Sequence, residues 1–305
     1  MLGLISVDQA LEIVLQSPCR LPPEEVDFEH AVGRVLAEDV RSDLDLPPFS
    51  RSAVDGFALR AQDLRPVPRR LKVVGMVRAG SFPSLKIEPG QAAQIMTGAP
   101  VPDGADAVQM VEHTQRAGEE VEIRQGLSAG QNVAPRASEV KAGELVLRGG
   151  TRIDPAAVAV AATVGSTRLR VGRRPRVAVI ATGDELVHPS RKPGPGRIRN
   201  SNGFALVAQA RAAGAQVSYL GVAGDNEESL VGLIGHGLQH RDVLLLSGGV
   251  SMGRFDLVES VLEGFEVKLL INAVALKPGK PLVFGLAPKG NLVFGLPGNP
   301  VSTMV

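Results

Sequence analysis

Tryptophan is absent from the chain, tyrosine occurs once, and aromatic residues make up only 3% of it. A protein that stacks nucleic-acid bases needs aromatic platforms, so that class is excluded. No strong charge of either sign is present: the formal net charge is +1. A global field that attracts a polyanion is therefore missing as well. Cys19 is the single cysteine. It can form no internal disulfide and no thiolate metal site, and a reducing, cytoplasmic setting is expected. No apolar run is long enough to span a bilayer. The opening MLGLISVDQALEIV has no basic leading region and no small-residue cleavage site, so no secretory signal is expected. The five histidines show no ligand spacing in this reading, and Met96 and Met252 are expected to pack rather than to react.

What is present is a chain of 305 residues, 44% hydrophobic, with 35 glycines and 22 prolines spread along it. That length suits two or three domains with real cores, and the spread means many tight turns rather than a disordered tail. Ser6 and Gln9 form a capping box, and Val7, Ala10, Leu11 and Val14 then share one helical face. Residues 44–58 contain Pro47-Pro48 and the turn pair Asp55-Gly56, which reads as a linker or an ordered surface loop. From residue 71 short apolar runs at 71–77, 92–95, 107–111 and 121–123 alternate with Gly and Pro, the spacing of a small β-rich domain. Asp154-Pro155 starts a helix that Gly165 ends.

Beyond residue 176 the grammar changes. Strand-like runs at 176–181, 216–222 and 243–246 alternate with helices at 202–213 and 227–237. That alternation predicts βαβ crossovers and a mostly parallel sheet. Asn299-Pro300 repeats the helix-start signature, yet Val305 follows within a turn, so a truncated chain is expected. Arg173-Arg174 reads as a solvated linker, and 191–199 as a Gly/Pro/basic loop that can cover a phosphate.

The chemistry concentrates after the strands, where ligands of parallel sheets bind. Thr182-Gly183-Asp184-Glu185 follows one run, and Gly224-Asp225 another. Ser247-Gly248-Gly249, Ser251 and Asp256 follow a third. Lys277-Pro278-Gly279-Lys280 and Pro297-Gly298-Asn299-Pro300 complete the edge. Gly-rich turns and lysines suit an anion, and carboxylates suit Mg²⁺ bridging phosphates.

Seven stretches carry a resemblance: LPPFSRSAVDGFAL, QIMTGAPVPDGADAVQM, AVIATGDELV, NSNGFAL, LLLSGGVSMGRFD, ALKPGKPLVFG and GLPGNPVS. In this order they resemble the molybdopterin molybdenumtransferase family. The resemblance implies a multi-domain α/β plus β fold in an elongated molecule. Its discontinuous domain I falls on 1–43 and 140–172, and a β-rich domain II on 44–139. A MogA-like α/β domain III falls on 173–305, and a C-terminal β-barrel domain IV is absent. It implies a cytoplasmic homodimer whose cleft is shared between subunits, with contact to the molybdopterin adenylyltransferase. The implied substrates are adenylylated molybdopterin and molybdate. Molybdenum enters the dithiolene, the adenylate is cleaved with Mg²⁺, and AMP departs.

Carried over, the family's functional acids fall on Asp55, Glu185, Asp225 and Asp256, with Asp184 beside them. Asp225 and Asp256 are the expected Mg²⁺ ligands. Ser247, Gly248, Gly249 and Ser251 cradle the phosphate. Lys277 and Lys280 neutralise the anion, Thr97 faces molybdate with Asp55, and Pro297 and Pro300 match the LPGNP prolines. Two departures stand out. The family pattern has Asn-Ser-Ala-Met-Asp-Gly-Tyr where this chain reads Arg51-Ser52-Ala53-Val54-Asp55-Gly56-Phe57. Glu139 stands where the pattern has Asp. Two other classes share parts of this signature: a competence-damage-type nucleotide pyrophosphatase and a gephyrin-like scaffold without catalysis.

Overall fold

The computed structural model describes residues 3–17, 21–249 and 257–304. They fall into two compact units, Val26–Leu169 and Met1–Glu25 with Arg170–Val305. Helix α1 (Val7–Gln16) has the expected capping box: Ser6 Oγ accepts from Gln9 N, and the Gln9 side chain accepts from Ser6 N. Its Ala10 packs with Ile271, Val274 and Phe284. Residues 3–17 thus pack within the unit that holds the α/β sheet. The α/β sheet covers only part of the apolar side of α1, at Ala10, Ile13 and Val14, while Val7 and Leu11 stay exposed.

The Val26–Leu169 unit is built on six strands: β1 (Gly56–Leu59), β2 (Arg69–Val77), β3 (Gln91–Ile95), β4 (Ala107–Met110), β5 (Thr114–Ala117) and β6 (Glu120–Ile123). They lie in the order β4-β1-β3-β2-β6-β5. The surface loop expected over 44–58 ends at Asp55, because Gly56–Leu59 is a fully buried interior strand. Asp55-Gly56 looks like a turn, but Phe57-Ala58-Leu59 has no polar alternation and pairs on both edges. Gly56 is required there, since any side chain would run into the Gln109 carbonyl. The helix α2 (Pro155–Thr163) starts as read, with Asp154 Oδ1 accepting from Ala157 N at 2.7 Å.

The second unit carries β7 (Arg176–Thr182), α3 (Asn202–Ala212), β8 (Gln216–Ala223), α4 (Glu227–His240), β9 (Val243–Ser247) and α5 (Leu257–Gly264). β10 (Lys268–Ala273), β11 (Pro281–Leu286), β12 (Leu292–Leu296) and α6 (Pro300–Met304) complete it. The sheet order is β8-β7-β9-β12-β11-β10. The first four strands are parallel, and β11 and β10 join antiparallel. Alternate residues of β7 serve opposite cores. Ala178 and Ile180 pack with Leu230 and Ile234 of α4 and Val258 of α5. Val177 and Val179 pack with Leu206 and Val207 of α3. Burial on both faces explains the unbroken apolar run of that strand.

Candidate functional site

The carboxyl ends of β7, β8, β9 and β12 open into one cavity of about 480 Å³. This is the edge where a parallel sheet leaves strand-end amides and loops free for a ligand. Its floor is the turn after β9. Gly248 and Gly249 have φ of +95° and +66°, a left-handed backbone that a side chain would strain. Space excludes a side chain as well. A Cβ at Gly248 would lie 2.7 Å from Thr182 O, and one at Gly249 2.9 Å from Thr182 Oγ1. Thr182 thus backs both glycines, and its hydroxyl donates to Ser247 O at 3.4 Å.

The acids stand on the adjoining loops. Asp184 N donates to Asp225 Oδ2 at 3.2 Å, and Asp225 N donates to Asp184 Oδ1 at 3.3 Å. Each carboxylate caps the other's amide and keeps a second oxygen. Glu185 folds back over Gly183, whose φ of +136° leaves no room for a side chain. The short pairing of Leu186–Val187 with Ile198–Arg199 brings Arg199 to the cavity as its cation. Asn200 Oδ1 accepts from Gly203 N at 3.0 Å, and its Nδ2 donates to Tyr219 OH at 2.6 Å. Burial pushes the Tyr219 hydroxyl up in pKa, opposed by that bond. Asn202, two residues on, bonds Ser247, Gly298 and Thr303.

A second constellation lies in the Val26–Leu169 unit. Asp55 Oδ1 accepts from Thr97 N at 2.7 Å and from Thr97 Oγ1 at 3.0 Å. The amide bond first, then the hydroxyl bond, hold the Asp55 carboxyl below the usual carboxylate range. Gly98, with φ of +79°, turns the chain so that Thr97 faces Asp55 while Gly98 N bonds Ser52 O. Arg51 pairs with Glu139 at 2.8 Å. Asp45, tied to Ala142 N and to Arg136, is also lowered in pKa, chiefly by the amide bond.

Of the residues singled out from sequence, Glu185, Asp225, Ser247, Gly248, Gly249, Pro297 and Pro300 line the one cavity. Asp184 is bonded to Asp225 at its rim. Lys277 and Lys280 lie on the loop between β10 and β11, and their neighbour Pro281 reaches the lining. Ser251 and Asp256 lie outside the described residues. Asp55, Thr97 and Glu139 belong to the other unit. Arg199, from the 191–199 loop expected to cover a phosphate, lines the cavity; sequence reasoning left Thr182, Asn200, Ser201 and Asn202 without individual roles, though all four line it. The signal was available: Asn-Ser-Asn at the first turn of a helix in a parallel sheet points polar groups at the strand ends.

One reading is corrected. Arg173 is no solvated linker residue: its guanidinium donates to both oxygens of Asp242, at 2.8 and 2.9 Å. His236 and His240, one turn apart on α4, pack ring against ring, with centroids 4.8 Å apart. Among the described residues, no group of three or more His, Cys, Asp or Glu converges on a metal position.

Known proteins match this chain along its length. Residues 5–165 fit the family model described as "MoeA N-terminal region (domain I and II)". Residues 178–305 fit "Probable molybdopterin binding domain". A molybdopterin molybdenumtransferase of Staphylococcus epidermidis is 37% identical over 300 residues, covering 97% of this chain and 71% of the relative. The chain belongs to the molybdopterin molybdenumtransferase family. The molybdopterin molybdenumtransferase of Bacillus subtilis is likewise 37% identical, over 309 residues, covering 99% of this chain and 72% of that one. A crystal structure of the molybdopterin biosynthesis moea protein from Pyrococcus horikosii superposes with a TM-score of 0.85. It is 38% identical in sequence, over 99% of this chain and 76% of that one. For this molybdopterin molybdenumtransferase family member, the multi-domain α/β plus β fold read from sequence stands.

Proposed function

We infer that this chain transfers molybdenum from molybdate to adenylylated molybdopterin and releases AMP, a step of molybdenum cofactor biosynthesis. One observation carries the reading. Segments far apart in sequence, from Thr182-Gly183 through Asp225 and Gly248-Gly249 to Pro297-Gly298, converge on one cavity with an anion cradle and acids. Gly248 N is taken by Leu296 O, so it is the Gly249 amide at this left-handed turn, with the Arg199 guanidinium, that suits the phosphates of the substrate. Glu185 or Asp225 takes the proton of the water whose oxygen adds to one phosphorus of the phosphoanhydride. The bridging oxygen leaves with the other phosphorus, so both products depart as phosphates.

Mg²⁺ belongs to the same proposal. Asp184 and Asp225 each retain one carboxylate oxygen after capping each other, which suits a hard cation. The other ligands would be waters and phosphate oxygens, as Mg²⁺ prefers. When bound there, it supplies positive charge against the breaking phosphoanhydride. In the other unit, the ionised Asp55 and Thr97 hydroxyl bear on the dithiolene and molybdate in this reading. A homodimer is part of it too, and sedimentation equilibrium checks that.

The deciding experiment mixes the protein with adenylylated molybdopterin, molybdate and Mg²⁺ and follows AMP. Wild-type protein releases AMP and yields molybdenum cofactor that activates an apo-molybdoenzyme. Asp225→Ala loses AMP release about 100-fold or more, the scale of a lost acid–base group. Wild-type-like release by that variant removes Asp225 from the reaction. No release by the wild-type protein removes the reaction itself.

A further inference from the structure

Asn202 is the first residue of α3, and at its side chain the end of β9 meets the segment after β12, the turn at Gly298 and helix α6. Its Nδ2 lies 3.0 Å from Ser247 Oγ, 2.9 Å from Gly298 O and 3.1 Å from Thr303 Oγ1. Gly298 O can only accept, which fixes the amide nitrogen on this side. The single Thr303 hydroxyl proton goes to Pro297 O, with Asn299 O beside it, so Oγ1 accepts from Asn202; the second amide N–H is then shared between Thr303 Oγ1 and Ser247 Oγ. Ser247 differs. Only 3% of its surface is exposed, and among the described residues its Oγ accepts from Asn202 and donates to no protein group. A hydroxyl that accepts from an amide turns its own proton away from that amide. Ser247 lines the cavity, so the free proton is presented there.

We propose that Asn202 is a positioning residue: it holds Ser247 Oγ as an acceptor and thereby presents the Ser247 hydroxyl proton to an anionic phosphate oxygen in the cavity. The inference rests on the reaction proposed above. It gives Ser247 a side-chain role beside the backbone role of Gly249. A buried hydroxyl without an acceptor is costly, and an anionic oxygen is the partner that relieves the cost most. The bond to Gly298 O fixes which way the amide faces and so keeps the other N–H toward Ser247 Oγ and Thr303 Oγ1 before a ligand arrives.

The test compares Asn202→Ala, Ser247→Ala, the double variant and Thr303→Val by kcat/KM for AMP release and by Tm. Loss of a hydrogen bond to a charged group predicts that Ser247→Ala lowers kcat/KM about 10-fold or more. Asn202→Ala falls by a similar factor, and the double variant is no worse than the poorer single one. Thr303→Val removes one brace but keeps the Asn202–Ser247 bond, so its Tm falls while kcat/KM stays near wild type. The inference is overturned if Asn202→Ala turns over like wild type. Multiplying losses in the double variant overturn it too, as does a Thr303→Val loss matching that of Asn202→Ala. If the wild-type protein releases no AMP, the proposed reaction fails separately. Calorimetry with inorganic pyrophosphate then reads the same hydroxyl: Asn202→Ala and Ser247→Ala weaken binding together, or the inference fails.

Discussion

The Arg51 guanidinium donates to the Glu139 carboxylate at 2.8 Å, across 88 residues of chain. Both positions depart from the pattern the sequence resembles, Asn and Asp there becoming Arg and Glu here. The longer acid reaches the longer base, so one departure answers the other. Both side chains are well exposed, at 41% and 57%, and solvent screens the pair. A double-mutant cycle on Arg51→Asn and Glu139→Asp, read by urea unfolding, is expected to give a coupling below about 1 kcal/mol. The coupling shrinks further in high salt. A larger, salt-independent value would mean that the pair braces the fold rather than tuning the surface beside Asp55.

The glycines offer a sharper contrast. Gly248→Ala forces a side chain into positive φ and to within 2.7 Å of Thr182 O. Strain of that kind costs about 1–3 kcal/mol, and the cradle that binds phosphate is displaced with it. AMP release is expected to be lost and Tm to fall. Gly232, inside α4, has nothing within 4 Å of a would-be Cβ. Gly232→Ala is therefore expected to stabilise the protein by about 0.5–1 kcal/mol without touching turnover. Thermal unfolding and the AMP assay on the two variants check both signs.

Asp55 carries a pH prediction. Its folded pKa lies below 3.8 because Thr97 N and Oγ1 donate to it. A lowered carboxylate pKa favours the fold at pH values above the unfolded pKa, and the contribution is lost as pH falls through the folded one. Asp55 is thus ionised at every pH above about 4, and no acid limb of the pH–rate profile above that value arises from it. Asp55→Asn keeps an oxygen for Thr97 but removes the charge. Its Tm is expected to stay near wild type while kcat/KM falls about 10-fold or more, uniformly from about pH 6 to 9. An unchanged kcat/KM would remove the charge of Asp55 from the chemistry.

How much of this was legible in the sequence depended on whether the signal was local. The capping box at Ser6 and the Asp154-Pro155 helix start are contained within four residues, and both stand as read. The parallel strands were legible because burial on both faces leaves unbroken apolar runs such as Arg176–Thr182. Gly56–Leu59 was missed because a turn pair masks a four-residue strand, and only pairing with Gln91–Ile95 and Ala107–Met110 defines it. The two antiparallel strands that complete the sheet follow no crossover helix, so period and alternation could not orient them. At the site, glycines and acids announce themselves by type. Asn202 does not, since an Asn at a helix start is usually a cap. Its function rests on bonds to residues 45, 96 and 101 positions away.

Arg173 and Asp242 show the same non-local logic and give the last prediction. Asp242 accepts from both terminal nitrogens of Arg173 and, at 2.7 Å, from the Arg176 amide at the start of β7. Burial opposes its ionisation, but the bonds from Arg173 and Arg176 outweigh that and bring its pKa down to about 2. The Asp242 and Arg173 side chains are 16% and 21% exposed, so solvent screening discounts little. With the unfolded value near 3.8, the difference amounts to about 2 kcal/mol of stability. The sign follows from the direction of the shift. The contribution is complete above about pH 4 and disappears as pH falls through 4 toward 2. Asp242→Asn is expected to unfold at lower urea than wild type at about pH 7, with a gap on that scale. The gap narrows steadily below about pH 4, where wild type loses its own carboxylate. A gap that persists at about pH 2.5 would locate the loss in packing or in the amide bond, not in the charge that joins the start of β7 to Asp242.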